Sequence, residues 1–109
     1  MTSDIINKGG YKILKICGRL DTLSAVDFEC SIQPLLAEKG LDLHIDCSEM
    51  TYISSSGLRC FIILQKSVSA NSGILVIESL SSEIRDVFEM TGFDKIFTIK
   101  AGQDVFPEE

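Results

Sequence analysis

One short segment has residue types and spacing that could do chemistry: Tyr52-Ile53-Ser54-Ser55-Ser56-Gly57-Leu58. It lies between a strand-like run and the start of an apolar helix. The first backbone N–H groups of any helix lack internal partners, and they carry the positive end of its dipole. Serine oxygens accept from those donors, so serine is a preferred cap. A phosphate is held there for the same reason. The segment therefore reads either as capping and turn serines or as a place where a hydroxyl meets a phosphate or a partner.

Other chemistries find less support. A serine on a strand-to-helix turn is where some hydrolases place a nucleophile, but Gly-x-Ser-x-Gly is absent. The sole histidine, His44, is out of phase with Leu43 and Ile45, so it is expected to face solvent or a helix end. An enzyme using Ser55 as nucleophile would need a base within hydrogen-bond reach. Neither Gly-x-x-x-x-Gly-Lys-Ser/Thr nor Gly-x-Gly-x-x-Gly occurs. Asp21, Asp42, Asp46 and Glu49 are not spaced as a calcium loop. The cysteines Cys17, Cys30, Cys47 and Cys60 include no C-x-x-C pair, and one histidine cannot complete a zinc set. Each lies in an apolar stretch, so free thiols packed as small core residues are expected. No cofactor or metal is implied.

The elements that must position the serines follow from periodicity. Gly9-Gly10 is a turn signal, so Asp4 to Lys8 is expected as the first strand of a hairpin. Tyr11 to Cys17 is the second, with Tyr11, Ile13, Lys15 and Cys17 on one face. Gly18-Arg19-Leu20-Asp21 leaves it. A helix follows, carrying Phe28, Ile32, Leu35 and Leu36. Its start fits a capping box of Ser24 and Asp27, with Thr22 as a rival cap. Pro34 predicts a kink in it. Leu41 to Cys47 alternates as a strand, and Ser48 to Ile53 leads out of it. Leu58 to Val68 is apolar on most sides, hence a largely buried helix. Ile74-Leu75-Val76-Ile77 suits a strand covered on both faces. Ser81 or Ser82 caps a helix with Ile84, Val87 and Phe88 that stops near Gly92. Ile96 to Ile99 is the last strand, and the acidic end, about 101–109, is expected to be loose. Alternation of this kind implies an α/β fold with a largely parallel sheet.

Composition limits the partners. The chain has 109 residues, enough for one domain. Ten Lys and Arg against sixteen Asp and Glu give a net charge of −6. An acidic surface repels a phosphate backbone, so direct nucleic-acid binding is not expected. No apolar run is long enough to span a membrane. The start, Met1-Thr2-Ser3-Asp4, lacks the basic and apolar regions of a secretory signal, so a cytoplasmic protein is expected.

Three separated segments resemble one family. Gly18-Arg19-Leu20-Asp21 is similar to its Gly-Glu/Arg-Leu-Asp turn. Asp46-Cys47-Ser48 through Tyr52-Ile53-Ser54-Ser55-Ser56-Gly57-Leu58-Arg59 is similar to its signature Asp-x-Ser…Phe/Tyr-Ile-Asp/Ser-Ser-Ser/Ala-Gly-Leu. Phe88 to Phe97 is similar to its closing Leu/Phe-x-x-x-Gly-Leu/Phe-x-x-x-Phe. The chain resembles the STAS domain, in particular the bacterial anti-sigma factor antagonists, over nearly its whole length. The resemblance implies a single domain, 1–109, with a mixed four- to five-stranded sheet and helices chiefly on one side.

It also implies a switch and not an enzyme. An anti-sigma factor with serine kinase activity phosphorylates the serine two positions before the glycine, here Ser55, and a serine phosphatase resets it. The unphosphorylated form binds the anti-sigma factor and so frees the sigma factor. Well-known members carry Asp immediately before that serine; Ser54 stands there in this chain and is the alternative acceptor. The partner face implied comprises Asp21, Thr22, Ser54, Ser56, Gly57, Leu58 and Arg59. By residue type alone, Leu58 reads as core and Arg59 as a solvated arginine or one that meets a partner or a phosphate. A second reading is a STAS module that senses a ligand or scaffolds another assembly, such as a stressosome-like complex or a lipid-transport component.

Overall fold

A computed structural model describes residues 1–100 of the chain. The expectation of a loose acidic end lies outside the described residues. Five strands form one sheet in the order β1-β2-β3-β4-β5. β1 (Thr2–Asn7) runs antiparallel to β2 (Lys12–Leu20). β3 (Asp42–Ile53), β4 (Ile74–Glu78) and β5 (Thr98–Lys100) continue the sheet in parallel. The helices are α1 (Thr22–Ser31), α2 (Gln33–Leu36), α3 (Ser55–Ala70) and α4 (Ser82–Thr91), with a 3₁₀ turn at Phe93–Lys95. None of them is long and apolar enough to cross a membrane.

The core explains the layering. Leu14 and Ile16 from β2, Leu43, Ile45 and Cys47 from β3 and Leu75 and Ile77 from β4 share one buried cluster with all four helices. The helices therefore cover one face of the sheet. Phe61 of α3 is the hub, with its ring 6.2 Å from Phe28, 6.2 Å from Phe88 and 6.4 Å from Phe97. Tilted and edge-on contacts of this kind add to the area the rings bury. Ile13 and Val76 are buried outside that cluster, on the sheet's other face.

Two strands run further than their alternation predicts. Gly18-Arg19-Leu20 does not leave β2 but ends it. The register with β3 shifts between Gly18 and Arg19, where Gly18 has φ +91°. A bulge of that kind breaks the period-two pattern without ending the strand. Likewise Ser48 to Ile53 belongs to β3, and Met50 and Ile53 stay buried while Ser48, Glu49 and Thr51 are exposed. β1 starts and ends earlier than expected, at Thr2–Asn7, and β5 starts later, because Ile96 closes the 3₁₀ turn.

Pro34 acts as expected. The helical run divides into α1 and α2 at Ile32, with Pro34 inside the first turn of α2, where its missing N–H costs nothing. Ser81 caps α4 and Gly92 ends it. Two expectations fail. Cys30 is exposed on α1 and not a core thiol, whereas Cys47 and Cys60 are buried. His44 is 5% exposed and does not face solvent or a helix end. Its Nδ1 lies 3.0 Å from Glu78 Oε2 and its Nε2 3.2 Å from Asp42 Oδ1. Glu78, on β4 two residues beyond the register partner Val76, is itself fully buried. Alternation places a residue on one face or the other; it does not say whether that face is covered.

Candidate functional site

The two segments singled out by sequence meet because β2 and β3 end side by side, with Leu20 paired to Ile53. Each strand then turns directly into a helix. The Ser54 N–H donates to the Leu20 carbonyl at 2.8 Å, which ties one exit to the other. The N-termini of α1 and α3 are therefore neighbours at one edge of the molecule.

The α1 cap is Asp21, not Ser24 or Thr22. Asp21 Oδ1 accepts from the Ser24 N–H at 2.9 Å, and Ser24 Oγ accepts from the Asp21 N–H at 2.9 Å. This is a capping box set three residues earlier than the sequence pattern suggests, with serine replacing the usual Glu or Gln at its third position. The bonds from the Ser24 backbone and hydroxyl hold the Asp21 carboxyl below the usual carboxylate range.

At α3 the three serines separate. Ser54 is the N-cap: its extended backbone, φ −91° and ψ 172°, turns its Oγ to accept from the Gly57 N–H at 3.1 Å. It is only 8% exposed. Ser55 is the first helical residue and is exposed; Ser56 is half-buried. The helix thus starts at Ser55, three residues before Leu58.

Gly57 sets how closely that turn approaches the sheet. A Cβ there would stand 2.8 Å from Leu20 Cγ and 3.0 Å from Ile53 Cγ1. Real side-chain atoms do not approach so closely, so only glycine lets α3 start against the ends of β2 and β3. Leu58 is buried below it.

Between α1 and α3 runs a groove of about 160 Å³, walled by Thr22, Ala25 and Val26 on one side and Ser56 and Cys60 on the other. Arg59 crosses it, with Nη2 3.6 Å from Glu29 Oε1. Burial and the nearby Glu29 push the Cys60 thiol up, which disfavours the reactive thiolate. On the α1 rim, Leu23 is 84% and Val26 65% exposed. Arg19 lies 4.2 Å from the centre of the Tyr52 ring, a cation–π contact beside the serines.

Of the residues expected on a partner face, Thr22 and Arg59 are exposed and Asp21 and Ser56 are half-buried, and Ser55, the expected phosphorylation site, is exposed beside them. Ser54, Gly57 and Leu58 lie inside and hold the others in place. The Arg19–Tyr52 contact carries no local sequence signal, because it joins two strands through their register. The groove holds no histidine. His44 precedes Ile53 by nine steps along β3, which puts it about 30 Å from the strand end that leads to Ser55, at roughly 3.3 Å per strand residue. His44 is therefore no base for that hydroxyl.

Comparison with known proteins agrees with this architecture. Residues 3–105 match the model of the STAS domain. The anti-sigma-B factor antagonist of Bacillus subtilis (strain 168) is 35% identical over 88 residues, covering 81% of this chain and 80% of that protein. An anti-sigma factor antagonist from Mycobacterium paratuberculosis superposes with a TM-score of 0.80 at 22% identity, over 90% of this chain and 83% of the other. The Bacillus cell fate determinant SpoIIAA in its phosphorylated form superposes with a TM-score of 0.73 at 13% identity, over 94% and 93%. The match spans nearly all of the described residues and the fold is shared with these structures, and the chain belongs to the STAS domain family.

Proposed function

We propose that this protein is an anti-sigma factor antagonist whose binding is switched by phosphorylation of Ser55. In this reading it acts in the cytoplasm as a binding module and not as an enzyme. Unphosphorylated, it docks on an anti-sigma factor with serine kinase activity and so releases a sigma factor. Phosphorylation ends the docking, and a serine phosphatase restores it.

The observation that carries the reading is the different fate of two adjacent hydroxyls. Ser54 is buried and committed to the Gly57 N–H, while Ser55 stands exposed on the first turn of α3. A kinase can reach Ser55 without disturbing the cap. To reach Ser54 it would have to break that bond and extract the side chain. Ser55 is therefore the acceptor, and Thr22, Ser56 and Arg59 with Asp21 form the surrounding contact face.

The switch follows from charge. A phosphate adds about −1.5 to −2 units and three acceptor oxygens. At a helix start the dipole favours it by roughly 0.3–1 kcal/mol, so the fold accepts it. A partner surface shaped to a neutral hydroxyl does not, because it would enclose an unpaired dianion. A penalty of about 3 kcal/mol weakens binding roughly a hundredfold.

The test is incubation with ATP and each serine kinase encoded by the same genome, followed by intact-mass measurement and site mapping. One phosphate on Ser55, and none on Ser55→Ala, is expected. Phosphate confined to Ser54 or Ser56, or Ser55→Glu binding the cognate kinase as tightly as the unaltered chain, would overturn the proposal.

A further inference from the structure

We propose that Arg59 is a movable counter-ion for a phosphate on Ser55, and that its contact with Glu29 is the resting half of a charge exchange. The inference rests on the reading of Ser55 as the modified residue and adds what the phosphate touches.

Ser55 and Arg59 are four residues apart on α3. Residues at that spacing are neighbours, with Cβ atoms about 5–6 Å apart. A long side chain on a helix leans back toward the N-terminus and covers the turn before it. From that position the arginine can swing its guanidinium over the turn that carries Ser55. Its present anchor is slight. The Arg59–Glu29 contact is a single approach of 3.6 Å between side chains that are 70% and 40% exposed. A charge-assisted hydrogen bond is nearer 2.8 Å, and an exposed pair of this kind holds weakly. A phosphate dianion offers more charge than a carboxylate and three acceptors, which the guanidinium fork can grip bidentately. The exchange from Glu29 to phosphate is downhill on both counts.

Its consequence reaches the second helix. Glu29 belongs to α1, and it lines the same groove as Thr22 and Val26. When Arg59 leaves, Glu29 becomes an uncompensated carboxylate on that wall. A modification on α3 is then registered on α1 with no movement of the backbone. A partner spanning the groove meets new negative charge on both sides.

The test places phosphoserine at position 55 by genetic-code expansion, so it needs no kinase. It is informative even if no kinase modifies Ser55, and its failure is distinguishable from failure of that reading. The readouts are the phosphorus NMR titration of the phosphoserine and the nitrogen NMR signal of the Arg59 side chain. Besides Glu29 and Arg59, the charged groups toward this end of the sheet include Asp21, which caps α1, Arg19, stacked on Tyr52, Glu49 of β3 and the Met1 amino group beside Gly18. All four stay constant across the variants. Arg59→Gln is expected to raise the phosphate midpoint by about 0.15–0.4 unit, from the strength of helical pairs at this spacing. Glu29→Gln is expected to lower it, because the competitor for Arg59 is gone. The Arg59 side-chain signal should shift on phosphorylation in the unaltered chain. A midpoint unmoved by Arg59→Gln, with the Arg59 signal also unmoved by phosphorylation, would overturn the proposal.

Discussion

Ser54 and Ser55 are chemically identical side chains in opposite settings, one a buried cap and the other exposed, and the difference is one residue of helix geometry. Ser54 has the extended backbone of a cap; Ser55 has already entered the helix. Ser54→Ala should therefore lower unfolding stability by about 1 kcal/mol through the lost cap, whereas Ser55→Ala should stay within roughly 0.5 kcal/mol. Urea titration of the two variants measures the contrast. Asp21 makes a second residue-scale prediction. Its folded carboxyl is held below the ordinary value of 3.8 by the bonds from Ser24. Its stabilising effect is thus fully present above that value and is lost as the pH falls through the lower folded one. Asp21→Asn keeps an oxygen on the Ser24 N–H but does not titrate there. The stability gap between the two proteins should stay constant from pH 7 to about pH 5 and move in favour of Asn below pH 4, as followed by denaturation at each pH. Serine at the turn and acid before α1 are both legible in the sequence. Which serine caps was not, since three in a row leave the start of the helix open by two residues. Asp21 was passed over as a cap because its partner is Ser24 and not Glu or Gln.

The element scale is governed by how α3 is seated. Gly57 is where the helix touches the ends of β2 and β3, and an added methyl would collide with Leu20 and Ile53. Overpacking costs about 1–3 kcal/mol, while exchanging glycine for alanine in a helix returns up to about 1. Gly57→Ala should be net destabilising by about 1 kcal/mol by denaturant titration, and should shift the amide NMR signals of Ser55 and Ser56 in the folded protein. On the other face, the buried His44–Glu78 pair joins β3 to β4. Glu78 Oε1 is also buried and has no hydrogen-bond partner among the described residues. Removing the imidazole leaves the buried Glu78 carboxylate without that contact, so His44→Leu should cost about 3 kcal/mol. Glu78→Gln keeps the shape and an acceptor, and should cost clearly less in the same thermal melts. The helices and the strand order were readable because burial on one face imposes a period. The exits of β2 and β3 were not. A bulge at Gly18 and exposed Ser48, Glu49 and Thr51 erase the alternation where the strands carry on. The covering of His44 was hidden too, since it depends on side chains outside β3, Tyr11 and Glu78 among them.

At the scale of the whole molecule, stability and binding should separate. An exposed charge at the start of α3 sits where the helix dipole favours it, by roughly 0.3–1 kcal/mol, and the core around Phe61 lies away from it. Ser55→Glu should therefore leave the circular dichroism unchanged and hold or raise the melting temperature by up to a few degrees, given about 4–8 °C per kcal/mol for a domain near this size. The same variant should bind its anti-sigma partner roughly a hundredfold more weakly. A loss of binding with a falling melting temperature would mean instead that the site is read through the fold. The net charge of −6 adds a kinetic expectation. An acidic chain is steered toward a basic surface, and that steering is screened beyond about 8–10 Å at physiological salt. Association should slow as salt rises while dissociation changes little, which stopped-flow or surface-binding kinetics can follow. Phosphorylation adds negative charge to the same molecule, so by long-range charge alone it would speed approach to a basic partner. That the phosphorylated form should nonetheless bind more weakly requires the loss to lie in short-range contact at Ser55. It must then be seen as faster dissociation, and a mere drop in association rate would place the switch in steering and not in docking.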